Sequence, residues 1–576
     1  MTPPADEVRE GAARTVKASA ITLVGQWTRF VIQTGSLIVL ARLLSPRDYG
    51  LVAMVTAIVG IAQVLGDFGL SLAAVQARVL SRAQKTNLFW LNSLLGLTLT
   101  VLVFLLRGPI AHFYHRPQLT QIVSALSVAF VINGLTTQFE AELTRSMRFS
   151  RLAIRDVAAA IVAFAVALGM AVAGAGYWAL VGQQLALAGA ALLGSVVLSG
   201  WWPGLPRIRE SMGGLLGFGA NTMGLQVSAY VASNIDSVFV GRFWGAALLG
   251  VYNRAYTLFT LPLQQLTAPL TRVVLPTLSR IRDDALFVRY LVRAQLLNSY
   301  ILVGTLVVGA AVAQPLIATT LGPKWSGVVP IFQVLALGGV FSALGYLYYW
   351  IFLARGMTGV ALRYGLLGRA AMVVFLFVGA HFSVVGAAWG ATAGSALLWL
   401  LYTAFAVPRA GIRVGSITVD TIRVLVLYAV GFAVTQEVIR SSPHIGPAPV
   451  ELLVGLAVMG ACLAAGAALV PAVRRDVRQI IDTVRLLRAR RTPEAATADT
   501  PAPDSAPSAN GAAAQGPGAS RDRAPSEVAA AQLEAPVGAD RQRPPWEDIA
   551  DAWTSSPPRE RRLAVDAQRR GGDPVP

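Results

Sequence analysis

The sequence is poor in the residue types on which soluble enzymes and secreted domains depend. Only 14% of its 576 residues are charged, three are lysine, four are histidine and one, Cys462, is cysteine. A soluble chain usually contains about 25% charged residues. A single cysteine excludes a disulfide framework and a CxxC metal site. The sequence also lacks a Walker A phosphate-binding loop, which excludes an ATPase of that type.

Apolar residues and arginine are abundant instead. The chain is 55% hydrophobic, yet its formal net charge is +18. Residues 492–576 contain 9 arginines and 13 acidic residues, so residues 1–491 have a net charge of +22. The positive excess therefore belongs to the apolar part of the chain, which disfavours a basic nucleic-acid-binding face on a soluble fold. Apolar stretches of about 20 residues between short arginine-bearing loops indicate a polytopic membrane protein.

Hydropathy predicts an all-α membrane protein with about fourteen transmembrane helices. The predicted spans are 18–41, 51–74, 88–106, 119–138, 153–173, 177–199, 214–240, 247–273, 295–320, 329–353, 362–380, 383–407, 421–439 and 450–471. The loops and termini on one side hold 29 lysines and arginines, and the opposite loops hold 7. Cytoplasmic loops are enriched in these residues. The pattern therefore predicts a multi-pass protein of the bacterial plasma membrane with both termini in the cytoplasm.

The two halves of the chain resemble each other. Arg42 and Gly50 match Arg242 and Gly250 at an offset of 200 residues, and later matches have offsets of 206 to 211. Each copy contains six spans, and an even number gives both copies the same orientation in the membrane. We therefore predict two pseudo-symmetric parallel six-helix lobes plus two extra helices, an arrangement suited to alternating access.

The predicted organisation has six parts. They are a cytoplasmic N-terminus at 1–17, an N-lobe of spans 1–6 at 18–199, a C-lobe of spans 7–12 at 214–407, spans 13–14 at 421–471, a basic amphipathic surface helix at 472–491 and a disordered cytoplasmic tail at 492–576. The surface helix has apolar residues at three- to four-residue spacing and arginines opposite, which is typical of a helix on an anionic membrane surface. The tail is rich in Ala, Pro, Asp, Ser and Gly and is predicted to be disordered.

Ionisable residues within the spans are candidate functional residues. Each costs about 2.5–3.5 kcal/mol at the bilayer centre, so it usually faces a cavity or a partner. Arg29 in span 1 and Arg254 in span 8 are candidate substrate-binding residues. Further lumen candidates are polar residues of spans 1 and 7: Gln26, Gln33, Asn221, Gln226, Tyr230 and Asn234. Asp67, Asp236 and Arg369 are candidate charge partners or ion-coupling residues.

Two interpretations of these charges remain open, and they are compatible. In one, Arg29 pairs with Asp67 and Arg254 pairs with Asp236. In the other, the arginines line a cationic lumen for an anionic, sugar-bearing substrate, because a planar guanidinium donates two parallel hydrogen bonds to a phosphate. Neither interpretation requires a catalytic residue, a metal or a cofactor, and we expect none.

Four aromatic residues cluster in span 10. They are Tyr346, Tyr348, Tyr349 and Trp350. Stacking on sugar rings is one interpretation, because these side chains combine apolar faces with polar tips. An interfacial belt or helix packing is the favoured one.

Several ordered motifs resemble those of a known family. They are IVLARLLSPRDYGLVAM (38–54), LFWLNSLLGL (88–97), VGRFWGAALLGVYNRAYTL (240–258) and LPLQQLTAPLTRVVLPTLSRIRDD (261–284). The chain is similar over residues 15–440 to the polysaccharide transport family, and most to lipopolysaccharide biosynthesis proteins of the colanic-acid-exporter type. These belong to the multidrug/oligosaccharidyl-lipid/polysaccharide superfamily.

The resemblance implies a flippase, not an enzyme, that moves undecaprenyl-diphosphate-linked oligosaccharides across the plasma membrane by alternating access between two six-helix lobes. Related lipid II flippases have cavity-facing arginines in spans 1 and 8, the helices that contain Arg29 and Arg254 here. The implied partners are the lipid-linked anionic glycan and membrane lipids, with glycan polymerase and glycosyltransferases as further candidates. Nucleic acid is not among them.

Two alternatives stay open. A cation-coupled multidrug exporter of the same fold would favour an acidic lumen, which two intramembrane arginines against two acids disfavour. A membrane glycosyltransferase or glycan polymerase would need an outward loop with catalytic acids. The predicted outward loops hold few acids, chiefly Asp48 and Glu451.

Overall fold

The computed structural model of this chain describes residues 5–67, 81–206, 213–410, 415–441 and 446–489. Every regular element within these ranges is helical. Contacts divide the chain after Val470 into two units. The predicted disordered tail at 492–576 lies outside the described residues.

The first half of the larger unit contains helices α1 to α7. They are α1 Ala5–Leu43, α2 Pro46–Asp67, α3 Arg82–Leu105, α4 Arg107–Phe113, α5 Leu119–Arg145, α6 Phe149–Val172 and α7 Trp178–Ser199. Local sequence explains where some of them begin. At the start of α3, the Ser81 hydroxyl accepts a hydrogen bond from the Gln84 amide and the Gln84 side chain accepts one from the Ser81 amide, both at 3.0 Å, which is a capping box.

The second half contains helices α8 to α17. They are α8 Gly213–Arg280, α9 Asp284–Asn298, α10 Gly304–Ala311, α11 Ala313–Thr320, α12 Val328–Ala354, α13 Thr358–Phe382, α14 Val384–Leu401, α15 Val407–Arg409, α16 Gly415–Ser441 and α17 Ala448–Leu469. Two π-helical turns, Ser299–Val303 and Tyr402–Ala406, continue α9 and α14, and a 3-10 turn at Pro323–Trp325 precedes α12. Helix α18, Pro471–Ala489, belongs to the second unit.

Twelve helical segments of the described residues are long and apolar enough to cross a membrane. One of them, Ser233–Arg280, has 48 residues, whereas about 20 suffice to span a bilayer. Its helix, α8, is kinked at Gly245, which has φ 79° and ψ −177°. Because this conformation is open to glycine and strained for other residues, Gly245 lets the chain turn between predicted spans 7 and 8. With α8 counted as two spans and predicted span 1 lying in α1, the structure agrees with about fourteen spans.

The internal repeat is visible where α2 meets α8. A Cβ atom at Gly50 would lie 1.6 Å from the carbonyl oxygen of Ala246, and one at Gly250 would lie 1.8 Å from that of Pro46. The two contacts exchange under the offset of 200 residues, as contacts do across a two-fold axis. Only glycine allows the backbones to approach so closely. The two halves are therefore pseudo-symmetric lobes, as the sequence predicts.

The lobes are also joined at the end of α1. Lys324 Nζ donates to the carbonyl oxygens of Arg42 at 2.9 Å and Leu44 at 2.7 Å, and Trp325 Nε1 donates to that of Ala41 at 2.9 Å. These donors serve carbonyls that a helix end leaves without partners. Burial lowers the pKa of the Lys324 ammonium group. We call these five residues the clasp; it joins the lobes at the end that the arginine distribution assigns to the outside.

Helices α16 and α17 are the two extra helices of the predicted fold. They pack against each other and against α9, α10 and α11 of the C-lobe. The Tyr428 hydroxyl in α16 donates to the carbonyl oxygen of Tyr300 at 3.0 Å. Helix α18 covers most of the segment predicted to be a basic amphipathic helix, and its position on a membrane surface stays a prediction.

Candidate substrate-binding site

A cavity of about 260 Å³ lies between the two lobes. Its walls come from α1, α2 and α7 of the N-lobe and from α8 of the C-lobe. The polar side chains that line it are Gln33, Ser36, Tyr49, Thr56, Gln183, Gln184, Asn253 and Arg254. Among the described residues on its walls, none is acidic. This interlobe cavity therefore offers amides, hydroxyls and one positive charge.

Arg254 supplies that charge. Its guanidinium carbon lies 3.9 Å from the centroid of the Tyr49 ring, so a cation–π contact joins the two lobes here. The Arg254 Nε atom and the Tyr49 hydroxyl are both buried without a hydrogen-bond partner among the described residues. A buried donor without a partner costs about 1–3 kcal/mol. An anion bound in the cavity would remove that cost and neutralise the guanidinium.

Tyr49 is held in position by the first turn of α2. The Asp48 carboxylate accepts hydrogen bonds from the Ser45 amide at 2.9 Å and from the Ser45 hydroxyl at 2.6 Å. The Ser45 hydroxyl accepts one in return from the Asp48 amide at 3.3 Å, which closes the start of the helix. Tyr49 also meets Trp325 of the clasp edge to face, with ring centroids 5.5 Å apart. Tyr49 therefore connects Arg254 in the cavity to the clasp.

Arg29 lies elsewhere and has a different partner. Its Nη1 atom is 3.1 Å from Asp156 Oδ2 in α6, and 43% of its side chain is exposed. Arg29 does not line the interlobe cavity. The side chain of Asp67, the partner suggested by the sequence, lies outside the described residues.

Asp156 belongs to a charge network within the N-lobe. The Arg155 side chain, only 7% exposed, donates to Asp156 Oδ1 at 2.6 Å, to Glu140 Oε2 at 2.9 Å and to Ser195 Oγ at 3.0 Å. The network thus joins α1, α5, α6 and α7. The sequence singled out neither Arg155 nor Asp156, although both lie within the predicted span 153–173. The structure begins α6 at Phe149, four residues before that span.

The predicted pair between Arg254 and Asp236 is wrong. The buried carboxylate of Asp236 accepts hydrogen bonds from the Tyr252 hydroxyl at 3.0 Å and from the Ser237 amide at 2.7 Å. Tyr252 and Arg254 are two residues apart on one helix, so their side chains point about 200° apart. A carboxylate that contacts Tyr252 therefore does not face Arg254.

The remaining candidates of spans 1 and 7 serve other contacts or lie outside the cavity. The Tyr230 hydroxyl donates to the Thr56 carbonyl at 2.6 Å, and the Asn234 amide donates to the Tyr230 carbonyl at 2.9 Å. Gln26 and Gln226 are exposed, and the side chain of Asn221 lies outside the described residues. Of the eight predicted lumen residues, Gln33 and Arg254 line the interlobe cavity.

Sequence reasoning missed Tyr49 and the two glutamines of α7. Gln183 donates to the Ser36 hydroxyl at 2.9 Å, and Gln184 follows it on the cavity wall. Two adjacent amides in an apolar span were an available signal, because polar residues inside a membrane usually face a cavity or a partner. Tyr49 gave no such signal, since tyrosine is common near the ends of spans.

A second cavity, of about 600 Å³, lies within the C-lobe between α8, α12, α13 and α14. Arg369 lines it, together with Tyr346 and Tyr349. The other two aromatics of span 10 serve packing instead. Trp350 is fully buried and donates to the Thr271 hydroxyl at 3.1 Å, and Tyr348 is hydrogen-bonded to Thr403. The aromatic cluster thus divides into a cavity-lining pair and a packing pair.

Comparison with known proteins gives concordant matches. The model of a family described as polysaccharide biosynthesis protein matches residues 39–330, just over half of the chain. The lipopolysaccharide biosynthesis protein WzxC of Escherichia coli K12 is 26% identical over 416 residues, which are 69% of this chain and 80% of WzxC. The teichuronic acid biosynthesis protein TuaB of Bacillus subtilis 168 is 29% identical over 321 residues, 53% of this chain and 65% of TuaB.

A solved structure shares the fold. The lipid II flippase MurJ in an inward closed conformation superimposes with a TM-score of 0.59 and 13% sequence identity, over 77% of this chain and 98% of MurJ. The helices, the two lobes and the cavity between them therefore define a multi-pass membrane protein with the fold of the MurJ transporter. The chain belongs to the polysaccharide biosynthesis protein family, which confirms the resemblance found in the sequence.

Proposed function

We propose that the protein translocates an undecaprenyl-diphosphate-linked oligosaccharide across the bacterial plasma membrane for the export of a polysaccharide or lipopolysaccharide-type glycan. The observation that supports this most is the guanidinium of Arg254, which faces a cavity whose described lining contains no acidic residue. A diphosphate presents paired oxygens that a guanidinium fork binds bidentately. Relatives named for lipopolysaccharide and teichuronic acid biosynthesis, and a fold relative named as a lipid II flippase, support this substrate class.

The proposed mechanism is alternating access. In this conformation the clasp joins the lobes at the predicted outer end, so the substrate would enter from the cytoplasmic side. The Arg254 guanidinium lies over the Tyr49 ring, and its N–H groups are the proposed donors to the diphosphate. If Arg254 moved toward the ligand, Tyr49 would move with it and displace Trp325, which its ring contacts. The outer end would open when the hydrogen bonds of the clasp break. No covalent bond changes in this cycle, so the proposed activity is transport and not catalysis.

Residues outside the interlobe cavity have proposed roles in other steps. We propose that Arg29 contacts the anionic headgroup in a conformation in which Asp156 has released it. Polar residues of spans 1 and 7 would contact sugars as the glycan passes. Asp67 and Asp236 stay proposed ion-coupling residues, since a carboxylate inside a membrane protein often takes part in proton or ion transfer.

The test compares Arg254→Gln with Arg272→Gln in cells that lack the native gene. Arg272 lies on the same helix, is exposed and lines neither cavity. We expect Arg254→Gln to abolish surface glycan and to leave lipid-linked oligosaccharide in the inner leaflet, while Arg272→Gln exports normally. Monodisperse elution of both purified variants would show that they fold. Normal export by a folded Arg254→Gln variant would refute the proposal.

The same cells separate the two alternative functions. A multidrug exporter would leave glycan export unchanged on deletion and would sensitise cells to cationic drugs. A polymerase or glycosyltransferase would leave translocation intact and change the length or composition of the glycan. The absence of acidic side chains from the described cavity lining favours an anionic over a cationic substrate.

The proposed orientation, with both termini cytoplasmic, is testable with single-cysteine variants because the chain has one native cysteine. In a Cys462→Ala background, Met147→Cys and Ala173→Cys place exposed thiols on opposite sides in the proposed topology. A membrane-impermeant maleimide should label Ala173→Cys in intact cells and Met147→Cys after permeabilisation. The reverse labelling would invert the proposed topology.

A further inference from the structure

The C-lobe cavity contains a charge that the proposed mechanism does not use. Arg369 lies eleven residues after Thr358, the first residue of α13, which is about 16 Å along the helix axis. Among the described residues, no acidic side chain forms a salt bridge with Arg369. A charge at such depth in a membrane usually serves a pathway or a partner.

The rest of the cavity lining suits a sugar ring. Tyr346 and Tyr349 on α12 have ring centroids 6.3 Å apart at 74°, and the cavity is also lined by Trp399 on α14 and by Tyr402 directly after it. Aromatic side chains present an apolar face to the C–H groups of a pyranose and polar tips to its hydroxyls. Tyr402 is also the first residue of a π-helical turn, a feature frequent at functional sites.

Backbone packing keeps this space open. Apart from its chain neighbours and the nearby backbone of its own helix, no described atom lies within 4 Å of a Cβ atom built at Gly345, which lines the cavity. By contrast, a Cβ atom at Gly394 would lie 2.5 Å from Met372 Cβ, and one at Gly368 would lie 2.5 Å from Leu398 Cδ1. These glycines, which themselves line the cavity, thus bring α13 and α14 together along its wall. The volume of about 600 Å³ falls in the range of small-molecule sites.

The C-lobe cavity is distinct from the interlobe cavity. The two share no lining residue. Along α8, Arg254 and Thr267 are separated by thirteen residues, about 20 Å of helix. A diphosphate held at Arg254 would therefore not reach Arg369, so Arg369 would meet a different anionic group of the substrate.

We propose that the C-lobe cavity is a second binding site, which takes an acidic sugar residue of the transported glycan. The Arg369 guanidinium binds the sugar carboxylate as a fork, and Tyr346, Tyr349, Trp399 and Tyr402 surround the ring. This inference rests on the proposed function and deepens it, because it assigns the glycan at least one negatively charged pyranose.

Thermal unfolding of the purified full-length protein tests the inference with three probes: glucuronate, glucose and inorganic diphosphate. The wild-type protein should show a saturable rise in Tm with glucuronate and with diphosphate, and a smaller one with glucose. Arg369→Gln should raise the half-saturating glucuronate concentration by about tenfold or more and leave the response to diphosphate unchanged. Arg254→Gln should weaken the response to diphosphate and leave the response to glucuronate unchanged.

Matched variants keep the test decisive. Arg363→Gln removes an exposed arginine of α13 outside the cavity and should leave every response unchanged. Gly345→Leu fills the cavity without altering its charge and should also abolish the glucuronate response. Arg369→Lys preserves charge without the fork and should bind glucuronate more weakly than the wild-type protein.

The outcomes separate this inference from the proposed function. If Arg369→Gln and Gly345→Leu retain the wild-type response to glucuronate, the C-lobe site is refuted while the diphosphate site at Arg254 stands. If Arg369→Gln abolishes the diphosphate response as well, Arg369 belongs to a general anion site and the acidic-sugar assignment is wrong. If glucose matches glucuronate in the wild-type protein, the site has no carboxylate specificity and the assignment is again refuted.

Discussion

Arg29 and Arg254 are both arginines inside helices of the membrane domain, yet their surroundings are opposite. Arg29 contacts a carboxylate that a second arginine shares, within a network of N-lobe helices. Arg254 lies over a tyrosine ring of the other lobe, and its buried Nε atom has no hydrogen-bond partner in the part of the chain that the structure describes. One charge is neutralised by the protein itself, and the other is left for a ligand.

This difference separates a structural charge from a candidate binding charge. An ion pair that is already satisfied gains little from an incoming anion, because the anion must first displace the carboxylate. A guanidinium without an acidic partner gains the full interaction. The number of arginines in the spans therefore overstates the positive charge that is available to a substrate.

The largest expected effect concerns ligand binding. Arg254→Gln should raise the half-saturating concentration of inorganic diphosphate by about tenfold to hundredfold, because hydrogen bonds to charged groups contribute about 1.5–3 kcal/mol each. Arg29→Gln should change it by less than about threefold, because its charge is already paired. Titration of the purified variants by calorimetry measures both. Equal losses of diphosphate affinity in the two variants would show that Arg29 and Arg254 contribute equally to binding and would contradict the prediction.

The second effect concerns stability. Arg155→Gln leaves Asp156 and Glu140 without their buried partner and should lower the free energy of unfolding by about 1–2 kcal/mol, less than for a fully buried pair because Glu140 is half exposed. Thermal unfolding in detergent measures it, with Arg363→Gln as the exposed control. Diphosphate binding should persist in Arg155→Gln, and its loss would place the network inside the binding site.

A smaller effect tests the stacking of Arg254. Tyr49→Leu removes the ring under the guanidinium and should weaken diphosphate binding by about threefold to tenfold, since such contacts contribute about 0.5–2 kcal/mol. Tyr49→Phe keeps the ring and should bind within about twofold of the wild-type protein. If Tyr49→Phe binds diphosphate as weakly as Tyr49→Leu in the same titration, the Tyr49 hydroxyl and not its ring orients Arg254.

The smallest expected effect concerns the clasp. Lys324→Met removes two hydrogen bonds to carbonyls at the end of α1 and should shift the balance between closed and open outer ends by about fivefold, equivalent to about 1 kcal/mol. Spin labels at Arg47→Cys and Ser326→Cys in the Cys462→Ala background report the distance across the lobes. Lys324→Arg, which keeps the charge, should resemble the wild-type protein. An unchanged distance distribution in Lys324→Met would mean that other contacts close this end.

The sequence by itself determined the membrane class, the approximate spans and the repeat. These features are local or periodic. A span is a run of apolar residues, and a repeat is a set of matches at a nearly constant separation along the chain. The offset of 200 residues anticipated the exchange of contacts between Gly50 and Gly250. Sequence also selected Arg254 and Gln33, since polar groups within apolar runs stand out whatever the fold.

Only the tertiary structure decided which charges are paired. Asp156 is 127 residues from Arg29, and Tyr49 lies on the other lobe from Arg254, so no local pattern relates them. The same holds for Asp236, whose depth in the membrane suggested Arg254 but whose helix face leads to Tyr252. Position along a helix follows from counting residues, whereas the direction of a side chain follows from how helices rotate and pack against each other.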